Sequence, residues 1–111
     1  MIINLSPQSR ADEPVYVKKG DTISVNGEVF DFSQVEEGDT LPREAIYSDW
    51  FGGDVERTGG QLSVTLFSPC PPNYSPEQAF PIPVTMTGDG IIPLPLPLPE
   101  SLQEIKEVVN E

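Results

Sequence analysis

Histidine is absent from this 111-residue chain, and cysteine and tryptophan occur once each, as Cys70 and Trp50. Without histidine the common nucleophile–base triads, most zinc sites and the commonest general base are excluded, so enzymatic chemistry is confined to carboxylates. A lone cysteine excludes an intramolecular disulfide and a cysteine-rich metal site. Its setting, Ser68-Pro69-Cys70-Pro71-Pro72, offers no imidazole to deprotonate it and reads as a packed or idle thiol. Basic side chains are scarce too. Six Lys and Arg against 18 Asp and Glu give a formal charge of −12, a field that repels phosphate backbones and anionic membranes, and neither nucleic acid nor membrane is an expected partner. No apolar run is long enough for a membrane-spanning helix. The opening Met1-Ile2-Ile3-Asn4-Leu5-Ser6-Pro7 has neither the basic region nor the long apolar stretch of a secretory signal, so residence in the cytoplasm is the expectation.

What is present is a set of turn signals flanked by hydrophobic alternation. In Ala45 to Pro69, a two-residue turn at Gly59-Gly60 pairs Thr58 with Gln61, Arg57 with Leu62, Glu56 with Ser63, Val55 with Val64 and Asp54 with Thr65. That register puts Val55, Leu62, Val64 and Leu66 on one face and the polar residues on the other, with Arg57 as the exception. Asn26-Gly27 marks a second hairpin, which places Ile23, Val25, Phe30 and Phe32 on one face with Val29 against the trend. Gly88-Asp89-Gly90 reads as a third turn, between Val84, Met86 and Ile92, Leu94. The fold class is therefore mainly β, a small antiparallel sandwich or open barrel built from hairpins.

Between these elements Gln8 to Pro14 reads as a loop after a short apolar opening at Ile2, Ile3 and Leu5. Glu36-Glu37-Gly38-Asp39 lacks the alternating ligand spacing of a calcium loop and reads as a solvated turn. Gly52-Gly53 provides a corner where the chain enters its hairpin. Ser75-Pro76-Glu77-Gln78 carries a serine cap and a proline suited to a first helical position, for a helix of one or two turns. Residues 1–92 form the expected β domain, and 93–111 an extension. In Pro93 to Pro99 proline alternates with leucine, a pattern compatible with a protected edge strand or with a polyproline II spacer leading away. Ser101-Leu102-Gln103-Glu104 matches a capping box, so a short C-terminal helix is expected, with Leu102, Ile105, Val108 and Val109 at helical spacing.

The segments Ile3 to Pro7, Gly20 to Phe32, Gly38 to Pro42 and Ser48-Asp49-Trp50-Phe51, in that order, resemble small uncharacterised proteins encoded by tailed bacteriophages and prophages. The resemblance runs from about Ile2 to Thr87 and departs in Pro69 to Pro81 and in the proline–leucine run with its terminal helix. Genes of that family tend to lie among tail genes. The resemblance implies a tail-associated accessory protein and carries no catalytic residues, because the family has no established activity.

Two functions follow as expectations. The first is a non-enzymatic phage or prophage accessory, in the host cytoplasm or the virion, that binds another tail protein or itself through a sheet edge, the Trp50 region or the C-terminal extension. The second is an acidic mimic of nucleic acid that inhibits a host protein. An enzyme built on Asp49 and Asp54 ranks behind both, and no cofactor or metal is expected. The candidate contact residues are Tyr47, Asp49, Trp50 and Phe51 at the corner, and Leu94, Leu96, Leu98, Leu102, Ile105 and Val109 in the extension. Trp50 itself is expected to be mostly buried as a plug that closes the core, ahead of a role in a small-molecule site with Tyr47 and Asp49.

Overall fold

The computed structural model describes residues 1–10 and 12–98, and these form two facing sheets that do not close into a barrel. The strands are β1 (Ile2–Gln8), β2 (Tyr16–Lys19), β3 (Thr22–Val25), β4 (Glu28–Asp31), β5 (Thr40–Leu41), β6 (Val55–Thr58), β7 (Gln61–Pro69), β8 (Val84–Thr85) and β9 (Gly90–Ile91). One sheet has the order β5-β6-β7-β1-β8, the other β4-β3-β2-β9. A single 3₁₀ turn (Arg43–Ala45) and a four-residue helix α1 (Pro76–Ala79) complete the described elements.

Both glycine-marked hairpins form in the expected register. Val25 lies opposite Glu28, and the turn residues Asn26 and Gly27 take φ of 51° and 88°, the left-handed values of a primed turn. Thr58 lies opposite Gln61, and Gly59 and Gly60 take φ of 62° and 80°. The faces also sort as expected: Ile23, Val25, Phe32, Val55, Leu62, Val64 and Leu66 are buried, while Val29 stays exposed. Arg57, the exception in its strand, points toward the interior end of the sandwich. Its guanidinium donates to the Val35 carbonyl and pairs with Asp21 at 3.0 Å, tying the β6–β7 hairpin to the opposite sheet.

The ladder of the second hairpin stops at Glu56–Ser63 and resumes at Phe51–Leu66, so four residues on one strand face two on the other. The expected pairs Val55 with Val64 and Asp54 with Thr65 consequently do not form. The Gly52 amide donates to the Thr65 carbonyl instead, and the Asp54 carboxylate accepts from the Arg43 amide at 2.8 Å. The glycine pair makes this corner possible by close approach: a Cβ on Gly52 would lie 3.2 Å from the Phe67 ring, and one on Gly53 3.2 Å from Thr65. Phe51 is thereby carried into the core, fully buried, with the rings of Phe30 and Phe32 edge-on at 5.2 and 5.6 Å.

The fold is mainly β with sheets rich in antiparallel pairs, as expected, and β1 lies parallel to β7 over seven residue pairs. Two other expectations are corrected. Gln8 is not loop: β1 continues through Pro7 to Gln8, with the Cys70 amide donating to the Gln8 carbonyl at 2.8 Å. The turn at Gly88 to Gly90 does not close a hairpin. β8 pairs with β1 in one sheet and β9 with β2 in the other, so the segment crosses between sheets, although Val84, Met86, Ile92 and Leu94 all face the core as the alternation required. The helix at Ser75 forms with both bonds of a capping box, while the helix expected from Ser101, with Leu102, Ile105 and Val109, lies outside the described residues.

Replacing Phe51 by alanine is expected to cost about 3–5 kcal/mol, the range for large aromatic truncations in a core, read by urea unfolding. Asp89 at the crossover accepts from the Gly20 amide at 2.9 Å and faces the Lys18 ammonium at 3.4 Å. The Gly20 amide foremost, then Lys18, holds its carboxyl below the ordinary carboxylate value. A lowered folded-state pKa gives stability that is complete above the unfolded value and disappears as pH falls through the folded one. The thermal midpoint of Asp89→Asn should therefore lie below that of the native chain at neutral pH, and the gap should close as pH falls below the ordinary aspartate value of about 4.

Candidate functional site

Two stretches that sequence reading singled out, the Trp50 corner and the proline–leucine run, meet around Arg10. Residues 9–15 carry the chain from β1 to β2 and place Arg10 beside the corner formed before β6. The Arg10 guanidinium stacks on the Trp50 indole, 3.6 Å from the ring centroid, and makes a forked bond to the Asp12 carboxylate at 3.0 and 2.8 Å. It also reaches the Gln8 side chain at 3.3 Å and the Asp49 carbonyl at 3.4 Å. The bond from Arg10 holds the Asp12 carboxyl below its ordinary value. On the inner side the Tyr16 ring meets Trp50 edge-on at 6.2 Å, and its hydroxyl donates to the Phe67 carbonyl at 2.6 Å. Burial pushes that hydroxyl well above the ordinary tyrosine value.

Trp50 is thus half-buried between a tyrosine and an arginine rather than sealed in the interior; Phe51 next to it fills the core. The Tyr47 ring is 88% exposed on a backbone held at φ 56°, an uncommon value for a bulky residue, and the Asp49 side chain is also exposed. Only the backbone carbonyl of Asp49 meets the Arg10 group.

The proline–leucine run neither joins a sheet as a strand nor leaves the domain before Leu98. Proline cannot donate to a ladder, and the run is held instead by isolated polar contacts. The Ser75 hydroxyl donates to the Leu96 carbonyl at 2.6 Å, and Asn73 exchanges bonds with Leu98 through its own carbonyl and amide side chain, both at 3.0 Å. Ser75 also caps α1, where its hydroxyl accepts from the Gln78 amide.

Held in this way, Leu94 and Pro95 form a wall between two depressions. On one side is a mixed cleft of about 130 Å³, in which Arg10, Glu13, Ser68 and Gln78 are set among proline rings, Leu94 and Leu96. Ser68 is 1% exposed, and its hydroxyl has no hydrogen-bond partner among the described residues. The half-buried Cys70 thiol lies 3.3 Å from the Gln78 carbonyl. On the other side is an apolar groove of about 350 Å³ lined by Leu5, Phe80, Ile82 and Val84, with Phe80 83% and Ile82 80% exposed. Leu96 is also exposed, at 78%.

No protein family, curated protein or solved structure matches this chain. The chemistry of the face is therefore read from its own residues.

Sequence reading found Trp50, Leu94, Leu96 and Leu98 but not Arg10, Ser68, Phe80 or Ile82. A lone arginine beside an aspartate announces no stacking partner 40 residues away. Phe80-Pro81-Ile82-Pro83 did carry a signal: large apolar residues alternate with prolines that forbid a ladder able to cover them.

The acids are organised by the turns. Asp31 accepts from Ser33, Asp39 from Glu36, Asp54 from Arg43, Glu37 from both Gly59 and Gly60, and Asp89 from Gly20, each through a backbone amide. Those carboxylates are positioned by what they hold, and so are distributed over loops rather than gathered in one array.

Arg10→Ala is expected to uncover one face of the Trp50 indole, moving its fluorescence emission to longer wavelength, with a loss of no more than about 1 kcal/mol in urea, as befits a partly exposed cation–π contact.

Proposed function

We propose that the protein is a non-enzymatic accessory of a tailed bacteriophage or prophage, and that it docks on another tail component through the face built around the proline–leucine run. The observation that carries this reading is the apolar surface of Phe80, Ile82 and Leu96, 83%, 80% and 78% exposed, flanking the Leu94–Pro95 wall, with the proline–leucine run held at Leu96 and Leu98 by Ser75 and Asn73. Isolated exposed apolar residues are ordinary, but a contiguous group of them with a groove at its centre is the form of a protein contact. Preorganisation lowers the ordering cost of binding. The phage context is supported by the resemblance in Ile3 to Pro7, Gly20 to Phe32, Gly38 to Pro42 and Ser48 to Phe51. These stretches supply β1, the β3–β4 hairpin, β5 and the Trp50 corner, so they describe the scaffold, and the docking face is the part in which this chain departs from that family. Work in the host cytoplasm, or a place in the virion, accords with this role.

The acidic-mimic alternative draws on the charge of −12. Against it stands the engagement of five carboxylates with backbone amides at separate turns.

The double variant Phe80→Asp, Ile82→Asp is expected to keep the native unfolding midpoint and to lose co-sedimentation with purified tail assemblies. Co-sedimentation equal to that of the native chain, or binding to a host DNA-binding protein in place of a tail component, defeats the proposal.

A further inference from the structure

We infer that the outer edge of β4 is a second interaction surface, a strand-addition site for an extended segment of a basic partner protein. The edge lies at the far side of its sheet from β9, so it stands or falls independently of the docking face around the proline–leucine run. Each sheet edge leaves backbone amides and carbonyls without ladder partners, and proteins commonly blunt such edges with short strands, proline or lysine. Three edges here follow that rule. β5, β8 and β9 are two-residue strands, with Pro42 directly after β5, Pro81 and Pro83 before β8, and Pro93 shortly after β9. β4 does not. It spans four residues, Glu28–Asp31, with neither proline nor lysine, and among the described residues nothing pairs with its outer side.

The free backbone groups can be assigned from the register. In an antiparallel hairpin with a two-residue turn the flanking pair is hydrogen bonded, and every second pair after it. Val25–Glu28 and Ile23–Phe30 are therefore bonded pairs, and the Phe32 amide continues the series to the Asp21 carbonyl at 3.0 Å. The amides and carbonyls of Val29 and Asp31, which alternate with these, point away from β3. Two donors and two acceptors at one-dipeptide spacing are what an incoming strand needs.

Side chains define the occupant. Val29, 65% exposed, ends a cross-strand row that runs through Ser24 and Val17 to Ile91, itself 70% exposed. An added strand continues that row with an apolar or β-branched residue beside Val29. Two positions along, on the same face, stands the Asp31 carboxylate, and Glu28 closes the other end of the strand. Opposite charges across a strand pair are favourable and like charges are not, so the matching segment bears lysine or arginine beside Asp31. A second copy of this chain fits poorly, because it brings another acidic edge and another −12.

The test titrates the isotope-labelled full chain with the synthetic peptide Thr-Lys-Thr-Val-Thr-Lys, in which valine and both lysines share one face so that a lysine stands beside Asp31 when the valine stands beside Val29, and separately with its analogue bearing glutamate for both lysines, up to about 1 mM, the range of weak single-strand contacts. The expected result is chemical-shift change and slowed hydrogen exchange at the amides of Val29 and Asp31, with the glutamate analogue weaker by about tenfold or more. Val29→Lys, which places like charge on the edge, is expected to lose the lysine peptide while keeping the native unfolding midpoint. Should Val29→Lys fail to fold, Asp31→Asn, which can still accept from the Ser33 amide, serves instead and is expected to narrow the difference between the two peptides. Unchanged Val29 and Asp31 amides, equal binding of both peptides, or a folded Val29→Lys chain that binds as the native one does would overturn the inference. So would a concentration-dependent dimer that protects these amides without peptide, since the occupant would then be a second copy.

Discussion

The parallel pairing of β1 with β7 is the constraint on which the two-sheet arrangement rests. It sets Ile3 beside Val64 and Leu5 beside Leu66 on the inner face, and Ile3, Val64 and Leu66 are fully buried. Each such side chain contributes about 1.5–3 kcal/mol by leaving water. β1 also gives β8 its only ladder among the described residues, through Ile2 and Ile3, while β7 carries β6 and through it β5. Take away the β1–β7 contact and the first sheet separates into a hairpin and a loose strand, neither able to cover the inner face of the second sheet.

Local chemistry made some of this legible in the sequence. Asn26-Gly27 and Gly59-Gly60 state both a turn type and a pairing, because residues tolerant of positive φ occur at the mirror points of the hydrophobic alternation. The β1–β7 pair has no such marker. Its partners are about 60 positions apart, and parallel pairing is not announced by any turn. Gly88-Asp89-Gly90 had the composition of a hairpin loop and the correct inward residues, yet alternation defines only a face, and the facing partner of each strand is decided by the whole sandwich. The site divides in the same way. Trp50 and the leucines of the run were visible by type, whereas the stacking of Arg10 and the joining of Leu94 and Pro95 to two depressions depend on chain segments brought together by the fold.

Charge has an architectural part in this protein. Arg57 breaks the apolar alternation of β6, and the structure gives the reason: its guanidinium spans the end of the sandwich to Val35 and Asp21. Lys18 is likewise buried on the inner side of β2 and meets Asp89 at the crossover. Together with the carboxylates that hold turn amides, these residues place polar pairings at the ends of a core whose middle is apolar. Such a plan leaves the flat sides of the sandwich free to vary.

The placement of β1 also bears on how the chain is made. A ribosome delivers β1 first, but Ile2 has its ladder partner at Ser63 and the β8 residue opposite it at Thr85. At an elongation rate of about 5–20 residues per second, roughly 3–12 s separate the synthesis of β1 from that of its β7 partner. β2, β3 and β4 meet no such delay, since short turns connect them. Assembly is therefore ordered: one three-stranded meander is complete while the opening strand, with Ile2, Ile3 and Leu5, waits unpaired. During that interval the nascent chain presents an apolar segment to chaperones and to neighbouring chains, and the final sheet is closed only by segments from the second half of the protein.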